Sequence, residues 1–404
     1  MNKQSRVYAI SFFLIWPLSA LMIGLKSFNS KFGRNLIIAL YAFLGFTAIS
    51  IGDLERYEEE YYSHQGTTIR DLFVELISLQ TGKFYNSFIS IICGLFFESH
   101  HFYFLFLFLV YGYFYINTIN LFTNNNYLKL EKRGLIFFFG VLLFLLVRPL
   151  PNIAFYTGGI FVVFNMVSYY KTDNKRYLYL LFLAPLLHIG LSIYLILPIF
   201  LLLFKNRTSY YLIFVLLTFS AGKTNVVSAL GALSESNSGT IIQSKFDDYA
   251  SDEGQARLNE NYAGLSNSRN GSLRTYLVLQ DVILYGFVPI ALLLLFIKRE
   301  ILLGEEKLKK FFNIVLLFSG ISNLMMNISQ GVRFYVLFSF ISIGFIFTVS
   351  NQTISKSNKL FNVYLNCFIP ILFLYGLMGA YATNVLFRIQ FFISNFFIEF
   401  FTIS

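Results

Sequence analysis

Residues 101–121 read HFYFLFLFLVYGYFYINTINL, 21 residues without a single Asp, Glu, Lys or Arg. About 20 mostly apolar residues are needed for a helix to cross the hydrocarbon core of a bilayer, so this stretch reads as a membrane span. Working outward from it, the same pattern recurs at 7–25, 34–51, 134–148, 152–170, 177–190, 190–204, 209–221, 275–297, 311–327, 333–350 and 360–381. That makes about twelve crossings, roughly 11–14 depending on the ambiguous segments 84–97 and 384–404. Composition agrees: of 404 residues 56% are apolar and 13% charged, with 50 Phe, 27 Tyr and a mean hydropathy of +0.63. Soluble domains carry about 25% charged residues. The expected fold is therefore all-α and polytopic, one transmembrane domain over 1–404. Lys3 and Arg6 precede the first apolar run as in a signal peptide. No small-residue cleavage site follows, and Trp16-Pro17 interrupts the run, so it is kept as a membrane helix. Cys93 and Cys367 lie in apolar surroundings with no CxxC partner and read as small core residues.

The net charge of +10 would point to nucleic acid in a soluble chain, but in a membrane protein it asks which side holds the basic residues. The clusters Lys26/Lys31/Arg34, Lys129/Lys132/Arg133, Lys171/Lys175/Arg176, Lys205/Arg207, Lys298/Arg299/Lys307/Lys309/Lys310 and Lys356/Lys359 fall on one side under strict alternation. They hold 18 of the 31 basic and 5 of the 21 acidic residues, a net of +13 against −3 for the rest of the chain. The positive-inside rule makes that side cytoplasmic and puts the N-terminus outside. Residues 52–100 then read as one external excursion, in which Phe84, Phe88, Ile91, Ile92, Leu95 and Phe96 mark an interfacial or re-entrant helix. Residues 222–274, rich in Ser, Asn and Gly, form a large external loop with helical character at Thr240–Asn259.

The same outer side collects ionisable residues at helix ends. Arg148 precedes Pro149, His188 interrupts an apolar run in Leu187-His188-Ile189-Gly190, Arg274 closes the large loop, and Arg333 opens the span 333–350. A charge near membrane depth is costly and usually lines a cavity or binds something; the competing explanation for each arginine, and the better one for Arg388, is snorkelling to the headgroups. The acidic run Glu58-Glu59-Glu60 reads as a solvated helix face. Tyr57, Tyr61, Tyr62 and Tyr249 are candidates for stacking on sugar rings. His100-His101 is expected to be an interfacial pair, not a metal site, since no further ligands follow at a recognised spacing. The sequence has no Walker P-loop, HExxH or GxSxG pattern, so neither ATP, a metal nor another cofactor is called for. The middle thirds of the spans carry essentially no charge, and the halves show no repeat, which speaks against a coupled transporter.

Gly52-Asp53 followed by Arg56-Tyr57, the helix-terminal Arg148, Leu186-Leu187-His188, the long external loop and Arg333-Phe334 resemble the Wzy/EpsG group of bacterial polysaccharide polymerases. That group usually has Gly-x-Asp-Tyr where this chain has Gly52-Asp53-Leu54-Glu55-Arg56-Tyr57, with the Tyr displaced. The resemblance implies a GT-C-like, lipid-carrier-dependent glycosyltransferase of the bacterial cytoplasmic membrane, its active site facing the periplasm or outside. Its substrate is an undecaprenyl-diphosphate-linked oligosaccharide, with a flippase and a chain-length regulator as partners. Arg148, Arg274 and Arg333, with Arg56 and Tyr57, are then expected to hold the diphosphate and substrate, because planar guanidinium forks match phosphate oxygens. His188 or Asp53 is expected to serve as general base, and Arg148 to stabilise the departing diphosphate. Rival readings are an O-antigen ligase using the same donor and a flippase for lipid-linked sugars.

Overall fold

The computed structural model describes residues 3–48, 53–77, 84–123, 132–145, 152–223, 271–297, 305–326, 330–351 and 358–382, and every regular element among them is helical. The first half of the chain gives α1 (Lys3–Ile15), α2 (Leu18–Lys26), α3 (Lys31–Phe46), α4 (Asp53–Ser63), α5 (Ile69–Ile77), α6 (Phe84–Gly94), α7 (His100–Thr123), α8 (Lys132–Phe144) and α9 (Ile153–Thr172). There follow α10 (Arg176–Leu180), α11 (Ala184–Leu187), α12 (Ile196–Phe204), α13 (Thr208–Lys223), α14 (Gly271–Asp281), α15 (Val288–Ile297), α16 (Glu306–Met325), α17 (Val332–Ser350) and α18 (Lys359–Ala382). The segment 384–404, the expected helix Thr240–Asn259, Tyr249 and Arg388 lie outside the described residues.

Among the described residues six helices are long and apolar enough to cross a membrane: His100–Thr123, Ile153–Thr172, Arg274–Ile297, Glu306–Met325, Val332–Ser350 and Lys359–Gly379. Among the described residues the other expected spans are shorter or broken helices, and three of these runs show a local reason. Pro17, which has no N–H to continue α1, stands at the start of α2 and splits 7–25 in two. The run 177–204 is divided at His188, whose extended backbone (φ −163°, ψ 125°) ends α11 and begins a 3-10 stretch, Ile189–Leu195. The run 134–148 stops as a helix at Phe144 because side chains of α7 take over its last backbone groups. Tyr111 Oη donates to the Leu145 carbonyl at 2.7 Å and Tyr115 Oη to those of Val141 and Leu142 at 3.1 and 2.8 Å. The Leu145 N–H donates back to Tyr115 Oη. The unpaired carbonyls of a helix C-terminus need such partners when buried.

The ends of the long helices sort onto two faces. On one, Arg34 Nη1 donates to Asn120 Oδ1, Arg133 to Asn362, and Asn206 to the Glu306 carbonyl, and Lys310 pairs with Asp173. These ends belong to the basic loops that the sequence groups on a single side. On the other, His101 Nδ1 meets the Phe46 carbonyl at 2.8 Å, and Ser322 Oγ donates to that of Phe334. Between them lies one large core dominated by aromatic rings, while Leu203, Leu216, Leu217, Leu293 and Ile297 point outward, as lipid-facing residues do. Cys93 is buried as expected, but Cys367 is exposed on α18.

Tyr115 is wholly buried, so Tyr115→Phe keeps the ring and strands the backbone groups at the end of α8. The variant is expected to lose about 1–3 kcal/mol of stability, read as a lower midpoint of thermal unfolding in detergent; an unchanged midpoint would show that these bonds contribute nothing net.

Candidate active site

The site is built at the start of α9. Asn152 caps that helix: its Oδ1 accepts the Phe155 N–H at 3.2 Å and also lies 3.5 Å from the hydroxyl of Tyr57. Tyr57 reaches it from α4, whose Leu54, Tyr57 and Tyr61 share one buried face at helical spacing. The Phe155 ring, fixed by this cap, takes His188 edge-on on one side, with centroids 5.3 Å apart at 87°. The Arg333 guanidinium lies over the same ring at 5.9 Å, and Phe334 meets it edge-on at 5.1 Å.

Two glycines bring these groups so close. A Cβ on Gly158 would meet Leu191 Cδ1 at 2.3 Å and Leu187 Cβ at 3.0 Å, on either side of His188 in sequence. A Cβ on Gly159 would meet Leu337 Cδ1 at 2.4 Å, one turn beyond Arg333 in α17. The broken segment and α17 thus approach the backbone of α9 from two directions. Gln330, just before Arg333, holds the left-handed backbone (φ 65°) that side chains rarely adopt. Alongside, the helix Arg274–Ile297 widens into a π turn at Val282–Phe287, a feature frequent at functional sites. There Tyr285 packs on Tyr335 with centroids 4.9 Å apart.

His188 Nδ1 accepts the Gly190 N–H at 3.1 Å. The neutral ring therefore carries its proton on Nε2, which makes that nitrogen a donor.

Of the other expected residues, Arg56 is exposed with its guanidinium 5.6 Å over the ring of Tyr57. Tyr57 and Tyr61 are fully buried; Tyr57 meets the cap of α9, and Tyr61 donates to the Phe97 carbonyl. Burial, with Cys93 and Tyr62 nearby, pushes the Tyr61 hydroxyl up to about 12, so it remains a donor at neutral pH. The acidic run is not simply a solvated face: Glu58 lies 3.2 Å from His100 Nδ1, and Glu60 accepts from Ser87. Asp53 opens α4 with its side chain outside the described set, and Arg148 also lies outside the described residues. Arg274 is exposed near the start of α14, and among the described residues no hydrogen bond, ion pair or ring contact joins it to the Phe155 group. The sequence reading missed Asn152, a cap-type residue directly before an apolar run, and also Phe155, Gly158 and Gly159.

Among known proteins, a family model described as the EpsG family matches residues 31–395. No curated protein and no solved structure matches the chain.

Gly159→Ala is expected to cost about 1–3 kcal/mol through overpacking against Leu337. Gly94→Ala, whose added methyl meets nothing within 4 Å, is expected to be neutral. Thermal unfolding of both variants checks the contrast, and equal midpoints would refute the close approach of α17.

Proposed function

Because the chain belongs to the EpsG family, a group of polysaccharide-polymerase-like glycosyltransferases, we propose that it joins undecaprenyl-diphosphate-linked oligosaccharide repeat units at the outer face of a bacterial cytoplasmic membrane. The observation that carries this reading is the convergence of Arg333 and His188 on Phe155, at the end of the bundle opposite the basic loops. Arg148 directly precedes this point in the chain, and Arg274 comes from the flank of the large loop. An arginine keeps its charge at any physiological pH, and its planar fork presents paired donors to phosphate oxygens.

In the reaction, the acceptor hydroxyl oxygen attacks the anomeric carbon of the lipid-linked chain. The bond from that carbon to the phosphate oxygen breaks, and its electron pair leaves with the lipid diphosphate. The hydroxyl proton passes to Asp53, the carboxylate that remains as base once His188 acts as a donor. Arg333 and Arg148 hold the charge that develops on the leaving diphosphate, and His188 Nε2–H donates to it. Arg274 and Arg56 guide the substrate at the rim, and Tyr57 keeps the start of α9 in place.

Cells carrying Arg333→Ala or Arg148→Ala are expected to lose polymer by about 10²-fold or more, with the protein still present in the membrane. Single repeats on the lipid carrier should accumulate. Polymer at wild-type level in either strain would refute the assignment, and loss of even single repeats from the final acceptor would indicate a ligase instead.

A further inference from the structure

The helix α6 carries an unusual load of buried polar groups. Asn86 and Tyr103 are 0% exposed, Ser90 1% and Tyr85 8%. Both ends of the Asn86 amide and the hydroxyls of Ser90, Tyr85 and Tyr103 have no hydrogen-bond partner among the described residues. Other buried amides differ: Asn165 and Asn313 leave only the carbonyl oxygen without a partner, because their Nδ2 groups donate to Phe161 and Asn206. An unpaired buried polar group lowers stability, so a concentration of them on two adjacent helices needs an explanation.

Its position supplies one. The helix α6 packs on α4, which carries Tyr57, on α7, which carries Tyr103, and on α11, which ends at His188. Tyr103 lies within electrostatic reach of Tyr57, Tyr85 and Glu60, and the ring of Tyr61 stacks on its other side. The set therefore adjoins the Phe155 group without sharing its charge. Its donors and acceptors are neutral, and the nearby acidic side chain is Glu60. Such a surface suits a hydroxyl-rich, uncharged ligand that both gives and accepts hydrogen bonds.

We propose that Asn86, Ser90, Tyr85 and Tyr103 form a subsite for an uncharged sugar residue of the substrate glycan, beside the cationic group that faces the diphosphate. The assignment rests on the glycosyl-transfer reading of the Phe155 site and separates two duties within it: α6 and α7 recognise sugar, Arg333 and His188 recognise phosphate. It also selects among repeat units by hydroxyl pattern, since a sugar lacking a matching hydroxyl leaves the amide unpaired.

The test uses the full-length protein in lipid nanodiscs and two probes. One is the oligosaccharide released by mild acid from the lipid-linked pool of the producing cells; the other is farnesyl diphosphate, which has the diphosphate and no sugar. Tyr103→Phe removes only a hydroxyl and keeps the ring, so its fold is safeguarded; Asn86→Leu removes the amide at similar volume. Both are expected to weaken the oligosaccharide about tenfold, the factor an ordinary buried hydrogen bond supplies, and to leave farnesyl diphosphate unaffected. Arg333→Ala is expected to do the reverse. Oligosaccharide binding unchanged in Tyr103→Phe and Asn86→Leu, or absent in the wild type, overturns the subsite and leaves these groups to internal water. Failure of the wild type to bind farnesyl diphosphate sinks the lipid-diphosphate reading instead, and leaves the sugar arm to be judged by itself.

Discussion

The first two turns of α9 leave almost no room, and the rest of the candidate site depends on that. Phe155 is buried in the first turn, and Gly158 and Gly159 follow on the same face one turn along. Because neither glycine has a side chain, Leu187 and Leu191 pack on one flank and Leu337 on the other, at distances no larger residue would permit. His188 and Arg333 belong to those two flanking segments, so their common neighbour is a consequence of helix packing. Tertiary interiors are close-packed and transmit displacement with little give. A small residue in α9 therefore sets the spacing of two charged or polar groups that are far apart in sequence.

Some of this was legible in the residues and some was not. Long, uniformly apolar runs such as 101–121 and 333–350 declare themselves because nothing in them competes with the helix. The runs around Pro17 and His188 are as apolar, so hydropathy counts them as spans, yet a missing N–H in one and an extended residue in the other break the helix. The end of α8 was invisible for another reason: it is set by Tyr111 and Tyr115 reaching across from α7, and no local pattern distinguishes those two among 27 tyrosines. At the site, His188 and Arg333 stood out because a polar group in an apolar run is costly and therefore conspicuous. Phe155 did not, being one of 50 phenylalanines. The burial of Tyr57 follows from its helical spacing with Leu54 and Tyr61 on one face of α4.

Buried polar groups differ in whether neighbouring helices satisfy them, and Tyr41, Thr157, Tyr194 and Ser339 carry unpartnered hydroxyls elsewhere in the core. Those that hold helices together are partnered: Tyr115 with the end of α8, Arg34 with Asn120 and the carbonyls of Phe28 and Asn29, Tyr276 with Tyr375. Their bonds contribute modestly to stability, but removing one partner is expensive. The groups on α6 and at Tyr103 stand out because several of them cluster on adjacent helices with no partner among the described residues. Such an arrangement lowers the stability of the free protein and raises its affinity for any ligand that completes the bonds, in line with strain and unsatisfied groups being stored where function lies.

The setting of Arg333 completes the physical picture. Arg333 is half-buried, and a carboxylate partner there would neutralise the charge that the proposed diphosphate contact needs. Stacking over Phe155 offers a different balance: the ring face attracts the cation without cancelling it. A guanidinium carries its N–H donors around the edge of its plane, and such a planar fork can meet phosphate oxygens in pairs. A lysine in the same place would keep a compact, strongly hydrated charge that gains less from the ring and offers no paired donors. The aromatic support therefore favours arginine specifically, and it links the packing of α9 and α17 to the electrostatics proposed for the reaction.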